Sequence, residues 1–401
     1  MKQPGARGGK WVRLESTGEG EEGHRLWRGE NLEVMAELKR TKARYDLVYL
    51  DPPYNTKRGL RYKDKFGERG EHATWVEFMR GRLEMVRDLL GEEGLVAVSI
   101  DLRELAHLTL LMNEIFGEGN RMAVVTVKVK AGAGLSVNSI MDVCEYVVVY
   151  ARDAGKWRGR ILRREEVMVE RGEYTRTLTA VDAGKRCGGG EQITVWRHEG
   201  RVSPLGAEAF ARGEIAGAFC TTNSQGVRKY TGLVPKRGIY RVVDAENGKT
   251  TWFHNGRVLL WLEDRARVEA GRVIRQVRET NLWVENWHQG LGAEGGVSFT
   301  EGKKPVAMLR RILSWVGGEA RILDPFAGSA SMIQAAAEMN RDDGGRRWVD
   351  AVTNDEGRIC TEVAWPRVCG VFTGRYADGR EVEAVPGGVG LYGETGRDQS
   401  T

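Results

Sequence analysis

The feature that most constrains this chain is Asp51-Pro52-Pro53-Tyr54, which closes the run Tyr45-Asp46-Leu47-Val48-Tyr49-Leu50. That run is mostly apolar, aromatic and β-branched, the make-up of a buried strand. Two successive prolines cannot donate to a β ladder, and each pushes the residue before it out of helical geometry. The strand must therefore stop in a stiff corner, at the carboxyl end of a central strand, where open α/β sheets place their ligands. The corner offers a carboxylate, a proline carbonyl with no competing N–H, and an aromatic face. Together these suit the grip of an exocyclic amine on a flat ring. Asp51 and the Pro52 carbonyl accept its two N–H bonds, Pro53 stiffens the turn, and Tyr54 stacks on the ring. Hydrogen bonds that draw both protons toward tetrahedral geometry free the amine lone pair to attack an electrophile. A plain proline turn has the same local sequence, so the rest of the chain has to decide.

The flanking pattern alternates strand and helix. Val76, Met79, Leu83, Val86 and Leu90 fall at helical spacing, followed by the strand-like Leu95-Val96-Ala97-Val98-Ser99-Ile100. Leu105, Leu108, Met112 and Ile115 mark another helix, and Val124–Val127 and Tyr146–Tyr150 two more strands. This alternation indicates an α/β fold with a doubly wound, mostly parallel sheet. Residues 1–25 are Gly-, Glu- and Arg-rich and read as irregular, with a short amphipathic helix following around Leu32–Leu38.

Near residue 151 the pattern changes. Up to about residue 300 the chain is Gly- and Arg-rich with short strand-like pieces, 238–243 and 251–253 among them. Arg163, Arg164, Arg228 and Lys229 lie among aromatic residues there, a mixture suited to phosphate contact and base stacking, although a solvated insertion has a similar composition. The α/β pattern returns with a helix at 306–316. It leads into Ile322-Leu323-Asp324-Pro325-Phe326-Ala327-Gly328-Ser329, a strand and small-residue turn, and a helix beginning at Ser331. Strand, turn and helix N-terminus form a cradle for an adenosine-type cofactor. The strand Trp348–Thr353 follows, with Asn354 and Asp355 at the end where ribose hydroxyls are bound. Beyond about residue 372 the chain shows no strong pattern.

Composition narrows the class. The formal net charge of +5 fits a polyanion partner without requiring one. Five scattered cysteines with no Cys-x-x-Cys pair suit free thiols in a reducing cytoplasm, and with no metal-ligand spacing in view no metal site is expected. No apolar run reaches membrane-spanning length, so a membrane partner is not expected.

With these residues in view, the chain resembles the amino-group DNA methyltransferases that use S-adenosylmethionine, and more narrowly the modification subunits of type III restriction-modification systems. Asp51-Pro52-Pro53-Tyr54-Asn55-Thr56 is similar to their catalytic motif and Asp324-Pro325-Phe326-Ala327-Gly328-Ser329 to their cofactor motif. Gly29-Glu30-Asn31-Leu32, Glu294-Gly295-Gly296 and Gly302-Lys303-Lys304-Pro305 add to the similarity. Catalytic motif first and cofactor motif last is the β-type order, a circular permutation of the Rossmann-like methyltransferase fold. The resemblance implies a catalytic half at 26–150, a target-recognition insertion at 151–300, a cofactor half at 301–371 and a tail at 372–401.

It further implies that Asp324, Pro325, Phe326, Ala327, Gly328, Ser329, Lys304 and Pro305 hold S-adenosyl-L-methionine, with Asn354 or Asp355 near the ribose. A base flipped out of double-stranded DNA would meet Asp51. Adenine N6 is the first reading and cytosine N4 the second. RNA or protein glutamine methylation, and a recognition subunit with little catalysis, are the further alternatives. A restriction subunit and a second copy of the chain are the protein partners the resemblance admits. Two departures stand out: Ala330 where the family commonly has Gly, and Val143-Cys144-Glu145 in place of Thr-His-Glu.

Overall fold

The strand Tyr45–Leu50 lies in the middle of a ten-stranded sheet in the computed structural model, which describes residues 10–19, 22–56, 59, 61–68, 71–130, 141–157, 163–167, 176–214, 216–222, 230, 233–246, 248–264, 266–269, 272–299 and 302–395. In chain order the strands of that sheet are β1 (Trp11–Glu19), β2 (Glu22–Arg28), β3 (Tyr45–Leu50), β4 (Leu90–Ile100), β5 (Arg121–Lys128), β6 (Cys144–Ala151), β7 (Leu282–Trp283), β8 (Arg321–Asp324), β9 (Trp348–Thr353) and β10 (Gly387–Glu394). Across the sheet they run β1-β10-β2-β9-β8-β3-β4-β6-β5-β7. From β10 to β4 every neighbouring pair is parallel.

Period-two alternation sends the side chains of β3 to two separate cores. Leu47 and Tyr49 join Leu309, Ile333 and Val368, which come from α4 (Val306–Leu313), α5 (Ser331–Asp343) and α6 (Trp365–Thr373). Val48 and Leu50 join Val34, Leu83 and Met112, from α1 (Asn31–Arg40), α2 (His72–Leu89) and α3 (Leu102–Phe116). Helices therefore cover both faces, the arrangement expected of a doubly wound sheet, and strands buried on both sides carry the near-continuous apolar runs seen in the sequence.

Two expectations change. Among the described residues of the expected irregular stretch, 11–19 and 22–25 lie in strands, and Leu26 and Trp27, which continue the second strand, are core residues. The tail is not featureless either, because β10 pairs antiparallel with β1 and parallel with β2. Glycine at four of its eight positions hides the strand signal, yet Val389 and Leu391 are buried. Within this mostly parallel sheet β6 runs antiparallel to both β4 and β5, a direction that strand–helix alternation does not show.

The chain divides into two compact units, 1–162 with 280–401, and 163–279. The second unit contains a six-stranded sheet in which every neighbouring pair is antiparallel. It includes the expected strands at Ile239–Asp244 and Lys249–His254. Val195, Tyr240, Val242, Phe253 and Val258 give it a core of its own. Arg163 and Arg164 open a strand, Arg163–Val167, while Arg228 and Lys229 lie outside the described residues.

Candidate active site

At the end of β3 the double proline turns the chain as expected. The indole Nε1 of Trp75, a buried residue of α2, donates to the Pro53 carbonyl at 2.7 Å and pins the corner to the helix beneath it. Asn55 follows in the left-handed region (φ 58°), where asparagine is tolerated better than most residues. It is fully buried, and its backbone N–H donates to Asp64 Oδ1 at 2.8 Å. Its side-chain amide donates to Glu104 Oε1 at 2.8 Å. Asp64 and Phe66, from the polar loop after the corner, are thus tied to Asn55.

Four ionisable side chains meet at the corner. Lys304 Nζ donates to the Tyr54 hydroxyl at 2.7 Å and lies 3.0 Å from Glu145 Oε2 and 3.2 Å from Asp51 Oδ1. The Tyr54 hydroxyl is 3.0 Å from Asp51 Oδ1 and 3.1 Å from Glu145 Oε2, with one proton to give to either. Burial pushes the Asp51 carboxyl up to about 6; the Lys304 ammonium pulls it down and the Glu145 carboxylate pushes it up. Burial alone disfavours the charged form of Lys304, but Asp51 and Glu145 outweigh it and hold the amine well above its ordinary pKa. Burial likewise works against the Glu145 carboxylate, which Lys304 nevertheless keeps below the usual range. The result is a fixed cation between two carboxylates, of which Asp51 is the more easily protonated.

Beside β3, β8 ends at Asp324, whose carboxylate accepts from the Phe326 N–H at 3.2 Å. Burial, and to a smaller degree Asp51, pushes the Asp324 carboxyl well above the usual carboxylate range. The turn after it needs two left-handed residues, Gly328 (φ 49°) and Ala330 (φ 56°), before α5 begins at Ser331. A Cβ added at Gly328 would meet only Phe299, at 3.9 Å, so the backbone there faces open space. Asn31 braces the turn by donating to the Pro325 carbonyl at 3.1 Å. Ser329 Oγ accepts from Arg367, which is fully buried and also pairs with Gln334 and Glu294.

Both motifs line one cavity of about 220 Å³. Asp51 and Pro53 form one part of its wall, and Pro325, Phe326, Gly328 and Asn354 another. Pro52, Tyr54, Ala327, Ser329 and Asp324 stand behind or beside these residues rather than in the wall itself. Asp355 turns away and accepts from the Thr361 N–H at 3.1 Å. Lys304, expected with the cofactor motif, is bonded into the Asp51 corner instead, and Pro305 caps helix α4. Lys303 is buried with its amine donating to the carbonyls of Gly292, Glu294 and Val297. Burial lowers the pKa of that amine to about 8.

The wall also contains residues that were not singled out for the site: Glu30, Phe78, Arg82 and Phe299. Arg82 joins three of the surrounding groups. It donates to Asn31 Oδ1 at 2.9 Å, pairs with Glu30 at 2.5 Å, and its guanidinium lies 3.6 Å from the Phe78 ring centroid. Only Gly29-Glu30-Asn31-Leu32 gave a sequence signal for any of them.

The geometry can be set beside known proteins. The N6-N4 methyltransferase family model, described as DNA methylase, matches residues 45–365. The chain belongs to the DNA methylase family. Among curated relatives, it is 29% identical over 357 residues to the "Probable type III restriction-modification enzyme HindVI Mod subunit" of Haemophilus influenzae, covering 78% of this chain and 47% of that one. The type III enzyme StyLTI Mod subunit of Salmonella typhimurium is 27% identical over 382 residues, covering 86% of this chain and 54% of that one. Against the type II methyltransferase M.KpnI of Klebsiella pneumoniae the identity is 27%, with 85% and 82% covered. The chain spans about half the length of the two Mod subunits. The solved structure of the M1.HpyAVI–SAM complex is similar over 86% of this chain and 99% of that one, at 9% identity and a TM-score of 0.39.

Proposed function

We propose that this methylase-family chain transfers a methyl group from S-adenosyl-L-methionine to an exocyclic amine of a flipped base in double-stranded DNA, adenine N6 in the first instance. The observation that carries the reading is the shared cavity, in which Asp51 and the Pro325–Gly328 turn line one space. The residues present fit the cofactor. Phe326 and Phe299 supply apolar faces for a flat ring, Asn354 supplies a polar side chain at the end of β9, and the Gly328 backbone is open to close approach. S-adenosylmethionine, when bound, supplies the electrophilic methyl group.

The chain's own residues do the rest. Asp51 accepts an N–H of the amine and holds its lone pair toward the cavity. Lys304 fixes Asp51 and Tyr54 in place and keeps Glu145 charged, so the corner is ordered before the base arrives. A flipped base reaches this corner at the cost of its stacking and pairing, which the Tyr54 ring partly offsets by stacking.

Adenine N6 is put before cytosine N4 on the resemblance to type III modification subunits, since the corner itself suits either amine. The same resemblance makes a restriction subunit the protein partner to look for, with a second copy of the chain as the other. Asp51→Ala tests the reading. It should remove methyl transfer to DNA while equilibrium binding of S-adenosylmethionine stays within a few-fold of wild type. Full activity in Asp51→Ala would overturn the assignment, and a wild-type chain that binds DNA and cofactor without transferring methyl groups would make it a recognition subunit.

A further inference from the structure

Away from the cavity wall, α3 places Glu104 and His107 three residues apart on one face, and His72, the first residue of α2, comes to meet them. Glu104 is completely buried, an unusual place for a carboxylate without a cation. Its Oε1 accepts from Asn55 at 2.8 Å and lies 2.9 Å from His72 Nδ1. Its Oε2 faces His107 Nδ1 at 3.3 Å, yet both of those atoms lack a hydrogen-bond partner. The two imidazoles stack at 4.3 Å between centroids and 15° between planes, which brings two potential donors to one carboxylate.

We propose that His72, Glu104 and His107 form a binding site for a divalent transition-metal ion of the Zn²⁺ or Co²⁺ type. One ligand atom from each residue lies within 4.8 Å of the other two. Around a tetrahedral ion with bonds of about 2.0–2.1 Å, neighbouring ligand atoms stand roughly 3.3 Å apart, so small side-chain adjustments close the set. Two imidazoles and one carboxylate select a borderline ion over Mg²⁺ or Ca²⁺, which prefer all-oxygen ligands. His72 is half exposed and gives the ion an entry path, and water completes the coordination.

An ion here satisfies the unpartnered oxygen of Glu104. Through the Asn55 amide it braces the residue that follows the Asp51–Tyr54 corner. It is a positioning site, stands apart from the methyl-transfer chemistry, and does not depend on that reading.

The test uses the untagged chain, stripped with a chelator, dialysed and titrated with Co²⁺, whose visible absorption reports nitrogen and oxygen ligation. Wild type should take up one equivalent. Loss of a mere supporting partner weakens metal sites by about 10- to 100-fold, so His72→Ala and His107→Ala should each weaken uptake by about 10-fold or more. Both histidines are substantially exposed, so neither variant should disturb folding. In parallel, Zn²⁺ should raise the thermal midpoint of wild type by more than it raises that of His72→Ala at the same concentration. Absence of stoichiometric uptake by wild type, or uptake unchanged in either variant, overturns the site.

Discussion

Asp51 shows how much a residue's chemistry depends on neighbours that its own motif does not contain. The sequence around it marks a carboxylate at a stiff corner, but its ionisation is set first by burial and then by Lys304, some 250 residues away in the chain, and by Glu145. If the carboxylate form of Asp51 is the working one, the rate of methyl transfer should fall as pH drops through about 6. The direction of each neighbour's effect follows from its charge. Lys304 lowers the Asp51 pKa, so Lys304→Met should move this acid limb upward; Glu145 raises it, so Glu145→Gln should move it downward. A pH–rate profile checks both, and a limb that stays still in both variants would detach Asp51 from it. Ala330 is a second case. It occupies the left-handed region that glycine adopts freely, which costs an alanine roughly 1–2 kcal/mol. Its methyl is fully buried, however, worth about 0.8 kcal/mol, and glycine would add about 0.4–1 kcal/mol of chain entropy to the unfolded state. Ala330→Gly should therefore shift stability by less than about 1 kcal/mol in a denaturant titration. The departure from the family's glycine is explained by compensation rather than by loss of the turn.

Among the elements, those with a strong period were legible and those defined by their partners were not. The helix starting at Ser331 and the strand Trp348–Thr353 stand where the spacing placed them, because each carries its apolar pattern locally. Strand direction has no such local sign. The antiparallel course of β6 puts its first residues, not its last, at the ligand edge of the sheet, and this brings Glu145 beside Lys304. A parallel β6 would have carried Glu145 to the opposite edge. The terminal strands were hidden for a different reason: β10 is held between β1 and β2, β1 is held by β10, and glycine leaves β10 few side chains to show a pattern. Leu391 of β10 tests whether this pairing matters to the fold. Its side chain is 3% exposed in the core beneath α6, so Leu391→Ala should cost about 2–4 kcal/mol in chemical denaturation. A change within 0.5 kcal/mol of zero, the size of an ordinary surface substitution, would mean that the tail adds little to the sheet.

For the molecule as a whole, charge is more informative than composition once the units are known. The formal charge of +5 looks modest, yet residues 163–279 hold 21 Lys and Arg against 15 Asp and Glu, leaving the remainder of the chain close to neutral. The excess that suits a polyanion is therefore concentrated in the unit that does not contain the proposed methyl-transfer site. Within that unit, the strand Arg163–Val167 pairs with Arg272–Arg278 in a register that sets Arg163 opposite Arg278. Arginine is the residue type best suited to paired hydrogen bonds with a phosphate. On this reading, replacing Arg163 and Arg164 with Ala removes up to two phosphate contacts. Each contact contributes about 0.9 to the slope of log affinity against log salt for duplex DNA, so the slope should flatten by about 2. The loss should be similar for DNA of any sequence, because phosphate contacts position a protein on the duplex without reading bases. S-adenosylmethionine binding should stay at the wild-type level, since the cavity is lined entirely by residues of the other unit. Fluorescence anisotropy across a salt series measures the slope, and an unchanged slope would remove this arginine pair from the DNA interface.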